Sequence, residues 1–125
     1  MQVPGFIEKS DDLIKAGIDE VIVYCVNDGA VMKAWAKDQQ IDKAKGLITF
    51  MGDPSGALTK ALDIEMTDAG PASVGIIGRS KRTATIIDDG EVVFHAAAEK
   101  DCDPAGDEFP EATCAPALLE ALKSL

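Results

Sequence analysis

Three thiols and one imidazole, Cys25, Cys102, Cys114 and His95, are the groups in this 125-residue chain best suited to nucleophilic or redox work. A cysteine reacts as its thiolate, so the surroundings of each sulfur decide which one matters. Cys25 falls inside Val21–Val26, the longest apolar run, where burial raises a thiol pKa and shields the sulfur, so it reads as core packing. Cys102 stands between Asp101 and Asp103, whose charges disfavour a thiolate. Cys114 directly precedes a helical pattern, where free backbone N–H groups and the helix dipole can lower a thiol pKa. It is the candidate reactive thiol, with plain N-cap packing as the alternative. The cysteine count is odd and holds no C-x-x-C pair, which excludes a disulfide scaffold and a zinc site. His95 has no second histidine or suitably spaced cysteine to share a metal or complete a triad, and reads as a strand residue. The segment Gly70–Gly78 has neither G-x-G-x-x-G after a strand nor a Walker lysine, so nucleotide binding has no support.

The elements that must position these groups follow from pattern. Pro4 suits a first helical turn, and Phe6, Ser10, Leu13 and Ile14 share a face, which predicts one helix over 4–16, ended by Gly17. Val21–Val26 reads as a central parallel strand buried on both faces. Asn27-Asp28-Gly29 then caps a helix to about Gln39, with Val31 and Trp35 inward. Leu47–Met51 is a second strand, followed by Asp53-Pro54 as an N-cap and first-turn proline, with Leu58, Ala61 and Leu62 inward. Residues 63–80 read as loop. Arg82–Ile87 and Glu91–His95 flank Asp88-Asp89-Gly90 as a tight hairpin. Glu99–Glu111 is acidic and carries two prolines, which predicts a solvated loop. Pro116 opens a last helix with Leu118, Leu119 and Leu122 inward. The order predicts an α/β fold with a mixed sheet in a single domain over 1–125.

Composition narrows the partners. Twelve basic against 22 acidic residues give a net charge of −10, which repels nucleic acid and anionic lipid. With 46% hydrophobic residues a packed core is expected. Six consecutive apolar residues are far short of the about 20 that span a bilayer. The amino end has no basic region or apolar signal core, so a cytoplasmic or organellar, non-secreted protein is expected.

Four segments in order, Val3-Pro4-Gly5-Phe6-Ile7-Glu8, then Val26-Asn27-Asp28 with Val31 and Trp35, then Asp53-Pro54-Ser55-Gly56, then Arg79-Ser80-Lys81-Arg82, resemble the type II (peroxiredoxin 5-like) peroxiredoxins. The likeness covers essentially the whole chain. It implies a thioredoxin-like fold missing its N-terminal strands, with a C-terminal hairpin and helix. It also implies a thiol peroxidase, which reduces hydrogen peroxide and organic hydroperoxides with a thiol reductant such as glutathione, glutaredoxin or thioredoxin, and needs no metal or organic cofactor. Arg82 matches the arginine that steadies the peroxidatic thiolate and the peroxide, while composition alone makes it a solvated edge-strand cation. Cys114 falls near the resolving cysteine of some relatives, two residues tighter than their spacing. The peroxidatic thiol is expected a few residues before Val3, where this chain has no cysteine. The expectation is therefore a peroxidase domain inactive as this chain, or else a non-catalytic subunit or binding module. Without the central strand, two sheet edges carry unpaired backbone groups at about 1–3 kcal/mol each when buried. A homo-oligomer or a strand-donating protein partner is expected to cover them.

Overall fold

The computed structural model describes residues 2–67, 69–100, 102, 103, 106 and 108–125. The chain forms two compact units, Gly17–Ser80 and Met1–Ala16 with Lys81–Leu125.

In Gly17–Ser80, β1 (Val21–Cys25) pairs in parallel with β2 (Ile48–Gly52), Val21 opposite Ile48 and Cys25 opposite Gly52. The parallel pairing is as expected, but among the described residues β1 has β2 as its one neighbour rather than lying centrally, and Ile22 is 54% exposed. Between them runs α3 (Gly29–Gln39), capped as predicted by Asp28, whose carboxylate accepts from the Val31 N–H at 2.9 Å. Its inner face is turned by one residue from the expected one: Met32 is buried while Val31 is exposed. Trp35 does pack inward, its ring centroid 4.7 Å from that of Phe50. A 3-10 turn, Ile41–Ala44, leads into β2.

Gly52 ends β2 where a Cβ would strike the Asn27 carbonyl oxygen, so only glycine allows this approach. The helix after Asp53 starts later than expected. Gly56 takes a left-handed conformation, and α4 covers Ala57–Ala61. Leu58 and Leu62 are exposed, and Thr59 is the fully buried residue, because Asp53 draws it inward. The stretch predicted as loop contains a short helix, α5 (Ala69–Ser73), and Glu65 bridges to Ser80.

In the other unit the single predicted helix is two, α1 (Gln2–Glu8) and α2 (Ser10–Lys15), interrupted at Lys9. Val3, Ser10 and Leu13 are buried, whereas Ile14 is exposed. The hairpin forms as read: β3 (Thr83–Asp88) and β4 (Glu91–Ala97) pair antiparallel around a turn with Asp89 and Gly90 at positive φ. A bulge falls at Ile86/Ile87. After a 3-10 turn, Glu111–Thr113, helix α6 (Ala115–Lys123) buries Ala115 and Leu118 and lies beside α1. The acidic segment is not uniformly solvated. Asp103 is buried, accepting from the Glu108 and Phe109 N–H groups, and Lys100 sits 4.3 Å from the Phe109 ring centroid. Asp101, predicted to bear on Cys102, lies outside the described residues.

The parallel and antiparallel pairings of a mixed α/β protein are thus both present, in two separate two-stranded sheets. Among the described residues no helix is long and apolar enough to cross a membrane.

Candidate functional site

Arg82 immediately precedes β3, and its carbonyl accepts from the Ala98 N–H at 2.9 Å, which anchors the root of the side chain to the end of β4. The residue is half-buried. Its Nη1 donates to the Gln2 Oε1 at 3.3 Å, and the other end of that carboxamide donates to the Thr113 carbonyl at 2.9 Å. Arg82 is therefore not the solvated edge cation that composition alone suggests. Beside it, the Lys81 ammonium lies 3.1 Å from a Glu99 carboxylate oxygen, a partly exposed pair.

Cys114 occupies the N-cap position of α6, but its thiol does not cap the helix. The Sγ donates instead to the Pro110 carbonyl at 3.3 Å, an oxygen that also accepts from the Thr113 hydroxyl at 3.0 Å. Burial pushes the Cys114 thiol above its ordinary pKa, the Arg82 guanidinium pulls it down, and Glu111 pushes it up again. The lowering expected from a helix N-terminus is outweighed by desolvation. Arg82 and Cys114, widely separated in the chain, thus belong to one neighbourhood, joined through Gln2 and Thr113.

The remaining sequence candidates lie elsewhere. Cys25 is half-buried at the end of β1 and Cys102 is exposed. His95 is exposed on β4, its Nδ1 2.9 Å from the hydroxyl of its cross-strand neighbour Thr85. Two polar residues gain roles that type and spacing do not announce. Gln2 is one. The other is Arg79, whose Nη1 donates to the Val26 carbonyl at 2.6 Å and the Asn27 Oδ1 at 3.0 Å, holding the turn that enters α3.

A half-buried guanidinium hydrogen-bonded to a carboxamide, with a thiol within its electrostatic reach, can stabilise an anion. The architecture around it is the thioredoxin fold of the peroxiredoxins. Reduced Prx3 from Vibrio vulnificus, solved in complex with hydrogen peroxide, matches with a TM-score of 0.79 at 35% identity, over 98% of this chain and 66% of that one. Peroxiredoxin 5 from Alvinella pompejana shares the fold with a TM-score of 0.74 at 23% identity, over 99% of this chain and 69% of that one.

In sequence, Peroxiredoxin-2B of Arabidopsis thaliana is 42% identical over 87 residues, 70% of this chain and 50% of that protein. Peroxisomal membrane associated protein 20 of Schizosaccharomyces pombe is 38% identical over 94 residues, 74% of this chain and 56% of that protein. The family model described as Redoxin matches residues 1–113, and the chain belongs to that family, in its type II peroxiredoxin branch. It spans about half the length of the curated relatives it matches.

Proposed function

We propose that this chain carries the arginine side of a thiol-dependent peroxidase site, which reduces hydrogen peroxide and organic hydroperoxides at the expense of a thiol reductant. The observation that supports the reading is Arg82, half-buried and hydrogen-bonded to Gln2, the residue that by sequence resemblance matches the family's anion-steadying arginine. In that role Arg82 keeps the peroxidatic sulfur ionised and stabilises negative charge on the peroxide oxygen as the O–O bond breaks. The sulfur attacks one peroxide oxygen and becomes a sulfenic acid, and the other oxygen leaves as alkoxide or hydroxide and takes a proton. Two thiols of the reductant then return the sulfur to its reduced state, releasing water and a disulfide.

The 125 residues hold no cysteine where the family's peroxidatic thiol falls, so the chain by itself is proposed to be inactive. Cys114 is proposed as the resolving or reactive thiol. Hydroperoxide and a thiol reductant are the proposed partners, with no nucleic acid or membrane surface, in a cytoplasmic or organellar setting. The test is peroxide consumption with dithiothreitol, glutathione and glutaredoxin, or thioredoxin. The chain alone should show no turnover. The chain joined at its amino end to the family's peroxidatic segment, the strands that lead into it and the P-x-x-x-T-x-x-C motif that carries the cysteine, should turn over and lose that activity with Arg82→Gln. Turnover indifferent to Arg82 would overturn the reading.

A second reading has its own support. Strand β1 has one neighbour among the described residues and the hairpin forms a sheet of two, so backbone donors and acceptors stand open for another strand. A non-catalytic subunit or binding module, completed by dimerisation or by a partner's strand, fits that feature. Light scattering on the purified chain separates the two: a cooperatively folded dimer or larger assembly favours the module, and a monomer argues against it.

A further inference from the structure

The geometry points to Gln2 as a positioning residue for Arg82, its carboxamide tying the guanidinium to the Thr113 carbonyl and so fixing where that positive charge falls beside the start of α6. The inference rests on the proposed role of Arg82 and adds a residue that orients its guanidinium.

Three contacts define the device. The root of Arg82 is held by the Ala98 N–H on its carbonyl, at 2.9 Å. Its tip donates to the Gln2 Oε1 at 3.3 Å. The Gln2 Nε2 donates to the Thr113 carbonyl at 2.9 Å. That last acceptor is a rigid anchor: Thr113 is fully buried, and both its N–H and its hydroxyl donate to the Pro110 carbonyl at 3.0 Å. Pro110 also accepts the Cys114 thiol, so the anchor and the sulfur share one carbonyl.

A carboxamide suits this position because it carries an acceptor and a donor on one planar group. A carboxylate would still accept from Arg82 but would set a negative oxygen against the Thr113 carbonyl. A thioether would fill the space and serve neither contact. Long arginine side chains otherwise sample many rotamers, and a fixed acceptor at the tip restricts them.

The test reads the electrostatic reach of Arg82 at Cys114 and requires no turnover. Cys114 alkylation is followed by peptide-resolved mass spectrometry across pH in the 125-residue chain and in Arg82→Gln, Gln2→Met and the double variant. Gln2→Met is close to isosteric, so it removes the two hydrogen bonds and keeps the packing. Arg82→Gln and Gln2→Met should each move the Cys114 titration upward and slow modification roughly threefold at a fixed pH below the midpoint, about half a pKa unit. The double variant should go no further than Arg82→Gln. An Arg82→Gln shift with none in Gln2→Met overturns the inference, and so does no shift in either. Gln2→Asn, too short to span both groups, replaces the Met variant should that fail to fold. Because the readout is thiol titration, its failure is distinct from a failure of the peroxidase reading, which only peroxide turnover decides.

Discussion

The fold shifts the ionisation of the Asp53 carboxylate in Gly17–Ser80 and of the Cys114 thiol in the other unit in opposite directions. Asp53 accepts from the Thr59 N–H at 3.0 Å, the Thr59 hydroxyl at 2.9 Å and the Leu58 N–H at 3.2 Å. The Thr59 N–H is the leading cause that holds its carboxyl below the usual aspartate range, against the opposing cost of burial. The Tyr24 hydroxyl lies 3.4 Å from the Thr59 hydroxyl and ties the cluster to β1. Cys114 has instead one carbonyl for its proton, and burial raises its pKa while a nearby guanidinium opposes. An acid surrounded by donors holds a loop closed. A thiol whose pKa burial raises, with a nearby guanidinium only partly opposing, is held in its protonated form.

The largest effect that would break this contrast is at Arg82. In the chain joined to a peroxidatic segment, Arg82→Gln should lower peroxide turnover about a hundredfold, the scale for losing a preorganised anion stabiliser. Equal turnover would make the guanidinium structural, like Asp53. Next comes Thr59→Val, which keeps shape and removes the hydroxyl that Asp53 and Tyr24 share. It should cost about 1–3 kcal/mol in urea unfolding, because a buried acceptor loses a donor.

Acid sharpens the comparison further. A carboxyl whose folded pKa lies below its unfolded value stabilises the fold above the unfolded pKa, and that stabilisation is lost as pH falls through the folded one. The urea midpoint should therefore drop from neutral pH toward about pH 3, below the ordinary aspartate range. Asp53→Asn should flatten that drop, measured as the difference between the two pH dependences. The smallest effect belongs to neither cluster: Gly90→Ala, at φ 80° in the hairpin turn, should cost about 1 kcal/mol and leave Cys114 alkylation unchanged.

The sequence shows the hairpin, the parallel strands and the capped α3 clearly because each is written in local chemistry. Asp89-Gly90 demands a tight turn, β-branched runs demand strands, and Asp28 stands where a helix needs an acceptor. The inner faces were less legible. Leu58 and Leu62 match a helical stripe, yet a buried carboxylate needs donors more than α4 needs leucines inside, so Thr59 turns inward. Met32 displaces Val31 on the inner face of α3, whose apolar positions leave more than one stripe open. Asp103 sits in a segment whose composition reads as solvated, yet it is buried and accepts from the backbone N–H groups of Glu108 and Phe109, partners that composition does not reveal.

At the candidate site, Arg82 and Cys114 were visible through motif and position, but the balance acting on the thiol was not. Helix position argues for a lower thiol pKa, whereas desolvation depends on packing that spacing does not encode. Gln2 is the residue that sequence reading passes over. A glutamine carries no motif, and its two partners, Arg82 and Thr113, lie 80 and 111 residues away.

Whether Arg82 belongs to a peroxidase site is decided by hydroperoxide consumption in the chain joined at its amino end to the family's peroxidatic segment. Turnover with a thiol reductant should appear and then collapse on Arg82→Gln while the fold stays intact. Full turnover in the Arg82→Gln protein would contradict it.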